Sequence, residues 1–207
     1  MARPREFNEA EALDLALAAF WRRGYAACSI GDLVEATGLK RQSLYNTFGD
    51  KKALFLRALQ LYRRRVEESL ASLDEEGANM QSIRAYMKGV LRAQQQGNFG
   101  ACLLVKTAFS QDIGDPKIRH AVEAGAACVR VAFGKVIGES VRRGELESGV
   151  DPVGYAAYLY AMLNGLSALA TTGGGAESVT AALAHVGEAS NGRMARPRLR
   201  PARAAGG

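Results

Sequence analysis

Histidine and cysteine are scarce in this chain of 207 residues, which has two histidines (His120 and His185) and three cysteines (Cys28, Cys102 and Cys128). The cysteines are odd in number, far apart, and form no Cys-x-x-Cys pair. Neither a structural metal site nor a disulfide framework is expected, and reduced thiols in a cytoplasmic protein are the default. Proline is sparse too, five in all, with three near the ends. The inner two, Pro116 and Pro152, each follow an aspartate, which reads as an N-cap and then a first helical position. No apolar run approaches the ~18 residues that a membrane span needs. Met1 to Glu6 leads into a charged amphipathic segment and not into an apolar leader core. Alternating period-two stretches bounded by hairpin signals are missing, as is any repeat of about 20–50 residues. No Ser-His-Asp, paired-carboxylate or metal-ligating constellation stands out, so neither catalysis nor a cofactor is expected.

What is present is helical pattern and uneven charge. The formal net charge is +6, from 27 Lys+Arg and 21 Asp+Glu. Residues 1–65 carry a net +5, residues 66–189 a net −4, and residues 190–207, with five arginines and no acid, a net +5. A basic head on a mildly acidic body points the head toward a polyanion. Apolar residues make up 48%, enough at this length for the chain to bury about 70% of its unfolded surface.

Helical periodicity predicts an all-α fold of about nine helices. They are expected near 7–23, 29–37, 40–48, 51–73, 80–96, 101–111, 116–143, 153–172 and 176–188. Phe7, Ala10, Leu13, Leu17, Phe20 and Trp21 make one apolar face of the first. Ser29 with Asp32 has the shape of a capping box that opens the second. Gly38 supplies the turn into the third. The stretch from Ser190 onward has too few large apolar residues to fold alone.

Two short helices joined by a glycine-containing turn, with a longer helix on each side, spell helix-turn-helix. The second short helix must show hydrogen-bonding side chains on one face while its back packs inward. Lys40, Arg41, Gln42, Ser43, Tyr45, Asn46 and Thr47 supply that face, with Leu44 and Phe48 behind. Arginine and lysine suit guanine O6/N7, and glutamine and asparagine suit adenine N6/N7. Lys51, in the first turn of the next helix, adds a cation where backbone N–H groups already favour phosphate.

Gly24-Tyr25, Cys28-Ser29-Ile30, the run Leu33 to Leu39 and the run Ser43 to Leu54 resemble the N-terminal signature of the TetR family of transcriptional repressors. The resemblance covers roughly residues 7–56. It implies base contacts from Arg41, Gln42, Tyr45 and Asn46, and backbone contacts from Ser29, Ser43, Tyr45, Thr47 and Lys51. Two positions depart from the family pattern: Cys28 stands where threonine is common, and Val34 where a small alanine is common. The segment Gly100 to Ala108 is similar to a helix start seen in one subgroup.

The same resemblance implies three parts: a DNA-binding domain over 1–56, a ligand-binding and dimerisation domain over 57–189, and a basic tail over 190–207. Partners are then double-stranded DNA with a palindromic operator, a small-molecule effector, and a second copy of the chain held through the helices at 153–172 and 176–188. Met87, Leu91, Cys102, Lys106, Phe109, Phe133, Tyr158 and Met162 are the expected pocket residues. Within the dimer helix, Val153, Ala157, Tyr160, Leu163, Leu166, Leu169 and Ala170 are the apolar side chains. Two alternatives stay open: a thiol-based sensor of the same fold, with Cys102 near a helix N-terminus, and an architectural DNA binder whose body only dimerises. An enzyme with an accessory DNA-binding head is a third, for which the sequence offers no catalytic cluster.

Overall fold

The structure, a computed structural model, describes residues 8–96, 101–171 and 181. The expected helix at 176–188 and the basic tail over 190–207 lie outside the described residues, apart from residue 181. Among the described residues there are eight α-helices and no strand.

The first four helices form the head. α1 (Glu9–Arg23) starts where the Asn8 side chain accepts from the backbone N–H groups of Ala10 and Glu11. α2 (Ile30–Thr37) opens on a complete capping box: Asp32 N–H donates to Ser29 Oγ at 3.1 Å, and Ser29 N–H donates to Asp32 at 2.7 Å. Gly38 ends α2 in the left-handed region, at φ +68°, where a side chain would be strained. α3 (Arg41–Phe48) follows directly. Asp50 then caps α4 (Lys51–Ser69) by accepting from Ala53 N–H at 2.7 Å. The expected boundary at 56/57 falls inside α4.

α4 is shorter than its apolar pattern predicts. It ends at Ser69, and residues Ala71–Leu73 tighten into a 3-10 turn. Leu70 and Leu73, three residues apart, both enter the core there. Three-residue spacing stacks side chains on one side of a 3-10 turn, so the pattern continues although the α-helix does not.

The body comprises α5 (Met80–Gln96), α6 (Leu103–Ala108), α7 (Pro116–Arg142) and α8 (Pro152–Thr171). α6 is also shorter than expected, because Gln111–Gly114 form a separate 3-10 turn opened by Ser110. Asp115 accepts from Lys117 and Ile118 N–H and caps α7, with Pro116 at its first position, as the sequence predicts. α6 packs close on α7: a Cβ at Gly125 would stand 2.6 Å from Leu104 Cδ1, so a side chain there would force Leu104 to shift.

Two apolar cores result. The first joins Leu17, Phe20, Leu33, Leu44 and Phe55 of the head to Leu103, Leu104, Ile118 and Val122 of the body. Phe20 and Phe55 meet edge-on there, with ring centroids 4.9 Å apart. The second lies within the body, around Ile83, Met87, Phe133, Val136, Ile137 and Leu159. α8 divides by its helical period. Ala156, Leu159, Leu163 and Leu166 face the second core, while Val153, Ala157, Tyr158, Ala161, Gly165 and Leu169 are exposed. Leu163 and Leu166, expected in a dimer contact, are thus buried within the monomer.

Candidate nucleic-acid interface and an adjoining cavity

α3 is held from behind. Leu44 and Phe48, four residues apart, are buried in the first core with Leu33 of α2 and Leu54 of α4. Arg57 of α4 secures its far end: the guanidinium lies 4.9 Å from the Phe48 ring centroid, donates to the Thr47 carbonyl, and pairs with Glu9 of α1. Sequence reasoning missed Arg57. Its one signal is an arginine in the second turn of the helix that follows α3.

The front of α3 is polar and open. Lys40, Arg41, Gln42 and Asn46 are exposed, and Ser43, Tyr45 and Thr47 are half-buried. Gln42 Nε2 donates to Asn46 Oδ1 at 2.9 Å, one helical turn on. That bond uses one donor of Gln42 and one acceptor of Asn46, so the pair still offers an amide oxygen and amide N–H groups. An acceptor beside a donor matches the N6-amino and N7 pattern of adenine in the major groove. The Arg41 guanidinium lies 5.8 Å from the Tyr45 ring centroid, a cation above an aromatic face on the same surface.

Ser29 and Lys51 stand at the flank. Ser29 is exposed at the N-terminus of α2. Lys51 Nζ is 4.5 Å from the Tyr25 ring centroid and 3.4 Å from the Ala26 carbonyl, in the loop that leads to α2. Cys28, beside it, is fully buried, and burial raises its thiol pKa. It therefore packs as a small apolar residue and adds no polar group to the surface.

Behind the head lies a cavity of about 820 Å³ among α4, α5, α7 and α8. Its aromatic lining is Trp21, Tyr62, Tyr86 and Tyr160. Of the expected pocket residues, Cys102 is on the wall. Met87, Leu91 and Phe133 are buried in the second core, and Met162 packs against it. Lys106 donates to the Trp21 carbonyl at 3.0 Å, and burial lowers its pKa. Phe109 is 89% exposed and Tyr158 48% exposed, both outside the lining. The reason is rotational. The cavity takes Tyr86, Gly89, Val90 and Ala93 of α5, one face round from Met87 and Leu91. Burial raises the pKa of Tyr62, Tyr86 and Tyr160, so these phenols stay neutral across the physiological range.

Head and cavity share parts. Trp21 belongs to α1, yet lines the cavity. Its indole N–H donates to the Ala101 carbonyl at 2.9 Å, and its ring meets Tyr62 edge-on at 5.0 Å. Tyr62 in turn donates to Cys102 Sγ at 3.1 Å. Lys52 of α4 pairs with Asp115 at the start of α7, 3.1 Å apart. Among the described residues no group of three or more His, Cys, Asp or Glu is placed to hold a metal, and no helix is long and apolar enough to cross a membrane.

The chain matches two family models. Bacterial regulatory proteins of the tetR family match residues 12–58, and the tetracyclin repressor-like C-terminal domain matches residues 79–186. The HTH-type transcriptional repressor ComR of Escherichia coli is 29% identical over 182 residues, 86% of either chain. The HTH-type transcriptional regulator YezE of Bacillus subtilis, itself uncharacterised, is 30% identical over 148 residues, 70% of this chain and 76% of its own. Among solved structures, a double cysteine mutant of the TetR family regulator CifR, complexed with 26-base-pair double-strand operator DNA, has a TM-score of 0.80 at 26% identity, covering 90% of this chain and 99% of that one. Reduced NemR from Escherichia coli has a TM-score of 0.73 at 25% identity, over 86% and 95%.

Proposed function

This chain belongs to the tetR family of bacterial regulatory proteins, DNA-binding transcriptional regulators of the helix-turn-helix type, and from that membership we propose that it is a homodimeric repressor released from a palindromic operator by a small effector. The observation that carries the effector part is the position of Trp21. One residue belongs both to the helix-turn-helix head and to the wall of a cavity large enough for a drug-sized ligand. A ligand there contacts the element that orients α3. It changes operator affinity by its preference between two head positions, typically about 1–3 kcal/mol, or 5- to 150-fold.

The dimer rests on a geometric need and a surface. A short recognition helix reads few base pairs, so two copies about 34–36 Å apart on a palindrome provide useful specificity. α8 carries an exposed strip of Val153, Ala157, Ala161, Gly165 and Leu169, apolar and small enough for close helix approach. A two-fold interface needs this kind of self-complementary patch.

Selection of bound DNA from a random pool tests the reading. The expected product is a palindrome. Gln42→Ala relaxes the preference at one position of each half-site, at about 1–3 kcal/mol. Lys51→Ala weakens all sequences alike and reduces the salt slope by about 1. Recovery of no common sequence overturns specific regulation in favour of an architectural role.

A second reading has its own observation. Cys102 is on the cavity wall, with the Tyr62 hydroxyl donating to its sulfur. Hydrogen peroxide would convert this thiol to a sulfenic acid, releasing water, and place a polar group where α1 and α4 meet the cavity. Full peroxide-induced release of DNA from a Cys102→Ser variant sinks that reading.

A further inference from the structure

Of the four head helices, α3 alone opens without a side-chain cap. Asn8, Ser29 and Asp50 close the N-termini of α1, α2 and α4. Lys40, at the same position before α3, makes no such bond. The first turn of α3 holds no acid and its last turn no base, so its own sequence does not offset its dipole. Its eight residues are also too few for a stable helix in isolation. What α3 lacks is supplied from α4. Arg57 sets its guanidinium at the C-terminal end of α3 and donates to the Thr47 carbonyl at 3.4 Å. That carbonyl belongs to the last turn, which has no helical N–H to accept from. The same group lies against the buried Phe48 ring, 4.9 Å from its centroid, and so on the inner flank of α3. Its other arm pairs with Glu9, in the first turn of α1. A cation thus faces the negative end of α3, and an anion the positive end of α1.

We propose that Arg57 is a positioning residue for base recognition: it fixes the orientation of α3 against α1 and α4 and touches no DNA itself. This rests on the reading of α3 as the helix that enters the major groove. Three observations carry it. The guanidinium is already engaged on two edges, by Glu9 and the Thr47 carbonyl, and on one face, by Phe48. A planar fork holds two acceptors at a fixed angle, which a lysine ammonium does not. The Arg57 and Glu9 side chains are 41% and 51% exposed, so their ion pair adds little to overall stability, and its consequence is geometric. Base edges are read through hydrogen bonds that weaken steeply with distance and angle. A tilt of α3 would therefore take Gln42 and Asn46 off their bases. Contacts to phosphate carry no sequence information and survive the tilt through long, flexible side chains such as Lys40 and Lys51.

Fluorescence anisotropy on the full chain separates positioning from contact. Two labelled duplexes of equal length and composition are compared over a salt series: the palindrome selected from a random pool, and a shuffled version of it. Arg57→Met keeps an unbranched apolar stem over Phe48 and removes the fork. It should lower affinity for the palindrome about tenfold and leave both the shuffled affinity and the salt slope unchanged. Arg57→Lys keeps a charge at the end of α3 and should recover part of the loss. Glu9→Gln, at an exposed helix start, should lower the ratio of the two affinities by less. Partial unfolding lowers both affinities in proportion, so a purely structural loss does not move that ratio. Equal weakening on both duplexes, with the salt slope reduced by about 1, makes Arg57 a phosphate contact and overturns the proposal. An unchanged ratio for Arg57→Met overturns it too. So does a Glu9→Gln variant that tightens on both duplexes, because the freed guanidinium then reaches phosphate. An unaltered chain that distinguishes no duplexes is a separate result: it ends the reading of α3 as a base-reading helix, and the proposal with it.

Discussion

The head and the body solve opposite problems with similar material. The head must show a polar, cationic face to a polyanion while its short helices stay rigid. Each is therefore pinned by specific devices: the Ser29–Asp32 box, the Asp50 cap, and Arg57 laid over Phe48. The body must leave room. Its core is built from long helices, and the space between them is bounded by the same apolar residue types that fill the core. A reading surface stands out against the chemistry around it, whereas an apolar binding space does not.

The largest expected effect tests whether these are two units at all. Phe55 is fully buried in the first core, which also contains Leu103, Leu104 and Ile118 from the body. Phe55→Ala should cost about 3–5 kcal/mol, the usual range for a buried aromatic. Phe133→Ala, in the second core, should cost about as much. If the first core joins head to body, either variant shifts one common urea transition seen by both Trp21 emission and far-ultraviolet circular dichroism. Two separated transitions would break that view and make the head an independent unit.

A smaller effect sharpens the link between the regions. Trp21→Phe retains an aromatic ring against Tyr62 but deletes the N–H that donates to the Ala101 carbonyl. One hydrogen bond is worth about 1 kcal/mol. Operator affinity without ligand should change little, because α3 and its supports are untouched. The loss of affinity caused by a cavity ligand should shrink, as measured by anisotropy of labelled operator. An unchanged ligand response would show that coupling runs through α4 and Lys52–Asp115 alone.

The same contrast explains what the sequence discloses. Glycines at 24, 38 and 49, the acid-hydroxyl pair at Ser29 and Asp32, and a polar run around a single Leu44 all carry local signals, and α2, α3, the end of α1 and the start of α4 lie where those signals place them. Membership of the tetR family was legible from the same residues. The cavity was not legible. Met87 and Leu91 look as suitable as Tyr86 and Val90, and adjacent helical positions differ by about 100° of rotation that only packing decides. Phe109 looked like a pocket aromatic and is exposed, because α6 gives way to a 3-10 turn earlier than its apolar run implies.

The smallest effect separates the head's own fastening from its fastening to the body, through pH. Asp32 has its pKa lowered, first by the Ser29 backbone N–H and then by the Ser29 hydroxyl. Asp115 has its pKa lowered too, first by the hydrogen bond from Lys52, and the same contact raises the pKa of Lys52. A depressed carboxylate stabilises the fold above its unfolded value, about 4, and the gain is lost as pH falls through the lower folded value. A raised lysine does the reverse. Its gain is full below its unfolded value, about 10.4, and is lost as pH rises through the higher folded value. Asp32→Asn should therefore flatten the acid limb of a plot of Tm against pH and leave the alkaline limb alone. Asp115→Asn should flatten both limbs, because it removes the partner on which the lysine shift depends. Identical profiles for the two variants would mean that the Lys52–Asp115 pair contributes nothing to stability beyond the cap that Asp115 provides for α7.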